Sequence, residues 1–156
     1  MPVPRTALVL TWAGMLPFVL AAILRLAPDP AAPPGHFGLL YPTDAIAILA
    51  AYGAVILCFM SGVLWGFAAQ GPSPRAPLAY VLSVIPALAV FFLATQHILG
   101  APSNTDALFW LMLFFPGLLI LDWLFRRWAL APDWWLRLRV PPTIVATISC
   151  AIGWAV

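Results

Sequence analysis

Apolar positions run in long, almost uninterrupted stretches, and the few charges fall between them. Arg5 and Arg25 bracket nineteen uncharged residues, 6–24. At about 1.5 Å per helical residue, that is close to the twenty residues needed to cross a ~30 Å hydrocarbon core. A loop dense in Pro and Gly surrounds His36, and Asp44 then opens a second apolar run. Gly71-Pro-Ser-Pro-Arg-Ala-Pro reads as a tight turn before a third run, and Ala101-Pro-Ser-Asn-Thr-Asp leads into a fourth. Pro141-Pro142 suits a helix start, where a missing N–H is harmless. Thr143–Val156 is too short to cross alone, so the fifth span is expected to begin near Arg139. The pattern predicts an all-α membrane protein: a single domain, 1–156, folded as a bundle of five transmembrane helices with short loops, at about 6–26, 45–69, 78–99, 107–128 and 139–156. A cleaved secretory signal competes for the first run. That run exceeds a typical signal core, and Trp12, Pro17 and Arg25 spoil the cleavage pattern, so a retained helix is expected.

Composition excludes a water-soluble fold. Of the 156 residues, 64% are hydrophobic and 8% charged, against roughly 25% charged in soluble domains. Five Asp and seven Arg cannot cover a globule of this size. The absence of Lys and Glu reads as the codon bias of a GC-rich bacterial genome. A net charge of +2 is too small for a nucleic-acid footprint. Five spans sort Arg5, Arg75, Arg126, Arg127, Arg137 and Arg139 to one face and leave Arg25 on the other with Asp29, Asp44 and Asp106. Because positive charge marks the cytoplasmic side, the expected placement is the bacterial inner membrane with the N-terminus cytoplasmic and the C-terminus periplasmic. Cys58 and Cys150 lie in separate apolar runs and read as packed thiols.

Helices in lipid associate through close contact, which small residues four apart allow. Ala50, Ala54, Cys58, Gly62 and Gly66 form such a stripe in the second span, with Gly62-Val-Leu-Trp-Gly66 a GxxxG match, so this helix is the candidate packing hub. Whether the stripe packs within the chain or against another is open. Pro17, Pro86 and Pro116 should bend spans one, three and four. They read as fixed kinks in preference to breaks lining a cavity.

Asp122 lies four residues before Arg126, so the two face each other on a helix and are expected to pair. An intramembrane carboxylate is a functional candidate by default, but its aromatic and cationic neighbours favour structural pairing. Asp133-Trp134-Trp135-Leu136-Arg137-Leu138-Arg139, with Arg126 and Arg127, makes an interface of cations and indoles suited to anionic lipid headgroups or a partner. His36 and His97 fall near carboxylates but lack ligand spacing, so no metal and no cofactor is expected. No nucleophile triad or phosphate loop stands out, and the chain is read as a non-enzyme.

Leu16-Pro17-Phe18-Val19, Tyr52-Gly53-Ala54, the Phe-x-x-Gly-x-x-Trp-Gly run from Phe59 to Gly66, and the Trp-x-x-Arg-Leu-Arg-x-Pro-x-Thr run from Trp134 to Thr143 carry a resemblance. They resemble the domain-of-unknown-function family 3429, the transmembrane protein 69-like family, over nearly the whole chain. The resemblance implies a small multi-pass membrane protein without an established activity. Together these readings point to a non-catalytic accessory or assembly subunit that packs against another membrane protein or itself. The alternatives are a small oligomeric transporter or channel using the kinked helices and Asp122, and a membrane enzyme or metal carrier using the histidines.

Overall fold

The computed structural model describes residues 2–27, 41, 44–94 and 105–156. His36, His97, Asp29 and the last residues of the expected third span lie outside them. Five helices follow in chain order: α1 (Arg5–Leu26), α2 (Ala45–Ala68), α3 (Ala76–Ala89), α4 (Thr105–Arg127) and α5 (Trp135–Ala155). α3 continues through one wider, π-helical turn at Val90–Ala94. All described regular structure is helical, and each of the five, with α3 taken through Ala94, is long and apolar enough to cross a membrane.

α5 packs against both α4 and α1, while α2 touches all four other helices. The α2 positions that build the core are Leu49, Gly53, Leu57, Ser61, Leu64 and Ala68, spaced by three or four so that they share one face. They meet Phe18 and Ala21 of α1 and Leu108, Leu111, Phe115 and Leu118 of α4. The outer surface is as apolar as the interior: Leu10, Leu16 and Ile120 are each about two-thirds exposed. In water such a surface would be an aggregation hazard; in lipid it carries no penalty.

The fifth helix corrects the expected boundary. It begins at Trp135, which puts Pro141 and Pro142 in its second turn instead of its first. It is the least apolar of the five and the most buried, with Arg139, Thr143 and Ser149 turned inward against protein. Two prolines there leave the Arg137 and Leu138 carbonyls without helical donors, which membrane helices tolerate where protein neighbours surround them.

Pro17, Pro86 and Pro116 also sit inside continuous helices. Next to the carbonyls that Pro17 and Pro86 free, side chains from α2 step in. Pro17 strands the Ala13 carbonyl, and the Tyr52 hydroxyl donates to the adjacent Gly14 carbonyl at 2.8 Å. Pro86 strands the Leu82 carbonyl, and the Ser61 hydroxyl donates to the adjacent Ser83 carbonyl. Such interhelical bonds tie α2 to α1 and α3 inside lipid.

Candidate functional site

The turn between α4 and α5 builds the one charged cluster within the described core. α4 ends in a reverse cap: the Ala129 N–H donates to the Arg126 carbonyl and the Leu130 N–H to the Phe125 carbonyl, both at 3.0 Å. Ala129 takes φ 56°, the left-handed conformation that this cap requires and that glycine usually supplies. The chain reverses, Trp135 opens α5, and Arg139 follows one turn later on the same face.

Asp122 receives both. Its Oδ1 accepts the Trp135 indole N–H at 2.7 Å, and its Oδ2 accepts the Arg139 Nε–H at 3.1 Å. Asp122 is 1% exposed and Arg139 6%, so neither charge is hydrated and each depends on the other. The expected Asp122–Arg126 pair does not form. The two share a helix, but Asp122 turns into the bundle while Arg126 turns out and lies 3.9 Å from exposed Asp133. An i, i+4 register makes a pair possible; inward rotation of one member prevents it.

The other expected interface residues divide accordingly. Arg127 and Arg137 are exposed, with the Arg127 guanidinium stacked 4.8 Å from the centre of the Trp123 ring. Trp134 is half-buried beside Trp135. Arg75, before α3, lies 5.6 Å from the ring of Trp128, just after α4. These contacts gather the cationic ends of α3, α4 and α5 at one end of the bundle. The sequence had marked Trp135 and Arg139 as surface residues; their four-residue spacing on a helix starting at Trp135 was the signal for a shared inward face.

Beside the cluster lies an apolar cavity of about 380 Å³ between α1, α2 and α5, open on its outer side where Leu10 and Phe59 are exposed. Its walls include Leu10, Phe18, Ile56, Phe59 and Met60, and its polar lining includes Thr11, Arg139 and Thr143. Arg139 Nη2 and Thr143 Oγ1 are buried without a hydrogen-bond partner. Nothing in the sequence singled out Thr143 in this role. Among the described residues, no three His, Cys, Asp or Glu side chains group as metal ligands would.

The small-residue stripe does not converge on the core. Ala50 is buried and Ala54 half-buried, but Cys58, Gly62 and Gly66 face outward. A Cβ added at Gly62 or Gly66 would meet nothing within 4 Å. Close approach uses other glycines: a Cβ at Gly53 would lie 3.0 Å from Leu111, and one at Gly153 would lie 2.7 Å from both Leu108 and Leu49.

Comparison with known proteins gives relatives that are membrane proteins. The chain is 36% identical over 149 residues to transmembrane protein 69 of Xenopus tropicalis, covering 94% of this chain and 52% of that protein. It is 27% identical to transmembrane protein 69 of Mus musculus, covering 96% of this chain and 55% of that protein. The chain thus spans about half the length of these relatives. No solved structure matches it. The family described as protein of unknown function (DUF3429) matches residues 3–155, and with this length of agreement the chain is a multi-pass membrane protein that belongs to that family.

Proposed function

We propose that this protein is a non-catalytic accessory or assembly subunit of the bacterial inner membrane that works by packing against a transmembrane helix of a larger membrane complex. The observation that carries this reading is the outward face of α2, where Cys58, Gly62 and Gly66 leave the backbone open to close approach and no helix among the described residues takes the place. In lipid, small residues are favoured where helices meet, and a helix backbone can be approached closely only there. The exposed Arg126, Arg127 and Arg137, at the end of the bundle read as cytoplasmic, would hold the subunit against anionic headgroups.

The transporter alternative draws less support. Both oxygens of Asp122 are engaged inside the α4–α5 joint, and Pro17, Pro86 and Pro116 do not interrupt their helices.

Purification from native membranes in mild detergent, after cross-linking through Cys58, tests the proposal. The expected product is a stoichiometric conjugate with a second membrane protein, lost in Gly62→Leu and Gly66→Leu variants that keep their helicity. A Cys58–Cys58 dimer would identify the partner as a second copy and overturn the hetero-complex reading. An uncross-linked monomer would overturn the packing role itself.

A further inference from the structure

Three features coincide at the cavity between α1, α2 and α5: apolar walls, a volume of about 380 Å³, and two buried polar groups at one edge lacking partners. The volume falls in the range of small-molecule sites, roughly 300–1,000 Å³. At ~30 Å³ for a water-sized group, it takes about a dozen non-hydrogen atoms. The unsatisfied groups are both able to donate: Arg139 Nη2 by its N–H and Thr143 Oγ1 by its hydroxyl. They are four residues apart on α5 and share one face, so a single acceptor could receive both. Buried donors without acceptors are rare and costly, and apolar walls do not hold water well.

Charge decides what the acceptor is. Asp122 already offsets Arg139 through a direct bond, so the pair is formally neutral. A carboxylate or phosphate entering the cavity would bring one uncompensated negative charge into an apolar site, at a large desolvation cost. A carbonyl oxygen accepts the same hydrogen bonds without that cost. We propose that this cavity binds a neutral, lipid-soluble carbonyl compound, its oxygen held by Arg139 and Thr143 and its apolar body lying between Phe18, Ile56, Phe59 and Met60. Two sources offer this chemistry in a membrane: the ester carbonyl of a neutral glycerolipid and the ring carbonyl of a quinone.

The full chain is reconstituted in nanodiscs of diether phosphatidylcholine, which carry no ester carbonyl, and titrated with dioctanoylglycerol, a short-chain benzoquinone or oleate. Binding is read from the shift in thermal unfolding followed by circular dichroism. One neutral carbonyl probe is expected to raise the unfolding temperature at one equivalent, and which one it is identifies the source. Thr143→Val keeps the side-chain shape and should weaken binding about fivefold, the weight of one neutral hydrogen bond. Ala146→Leu, and Ala7→Leu at the half-buried rim, fill the cavity and should abolish the shift while the helical signal stays unchanged. No shift with either neutral probe, a shift that survives both filling variants, or stronger stabilisation by oleate than by the neutral probes would each overturn the proposal.

Discussion

Replacing Arg139 by methionine should destabilise the bundle by about 3–5 kcal/mol, the range seen when one partner of a buried ion pair is removed. The structure supports the upper class of effect because the side chains of Arg139 and Asp122 are only 7% and 2% exposed, so water cannot replace the lost partner. Arg126→Ala is the contrasting case. Arg126 and Asp133 are 3.9 Å apart with side chains 39% and 84% exposed, a screened surface contact that contributes at most about 1 kcal/mol. In Asp122→Leu/Arg139→Met both charges are gone. What remains is the Trp135 indole without its acceptor, which costs about 1–3 kcal/mol, well below the sum of the single losses. Reversible unfolding in mixed micelles, followed by circular dichroism against the mole fraction of denaturing detergent, compares the wild type with Arg126→Ala, Arg139→Met, Asp122→Leu and the double variant. The reasoning fails if Arg126→Ala is as costly as Arg139→Met, or if the double variant loses the sum of the two singles.

The same assay checks three further outcomes. Trp135→Phe keeps the ring between Phe67 and Trp134 but removes the 2.7 Å donor from a buried carboxylate, and should cost about 1.5–3 kcal/mol. Ala129→Gly relieves a left-handed alanine, about 1–2 kcal/mol, against a cost of ~0.4–1 kcal/mol from the freer unfolded chain; a net gain of about 0.5–1 kcal/mol is expected. Gly153→Ala forces two leucine side chains to move and should destabilise by about 1–3 kcal/mol, whereas Gly62→Ala and Gly66→Ala meet open space and should leave the isolated chain as stable or up to about 1 kcal/mol more stable.

What the sequence determined alone were properties that add up locally. An apolar run of some twenty residues must form a helix in lipid whatever surrounds it, because its backbone groups have no other partners, so the five spans were legible. α5 was the hardest to delimit because its first turns carry Arg137, Arg139 and two prolines, which read as loop until a neighbouring helix accepts them. The tertiary structure decided which side of each helix faces protein. Spacing offered Asp122 to Arg126 and made Gly62 a packing residue, within the chain or against another. Rotation of α4 turned Asp122 inward to Trp135 and Arg139, and rotation of α2 turned Gly62 outward while Gly53 met Leu111. When both faces of a helix are apolar, no hydropathy difference records which one is inside. Partner choice and cavities then depend on shape complementarity among helices distant in sequence, which no local pattern of residues encodes.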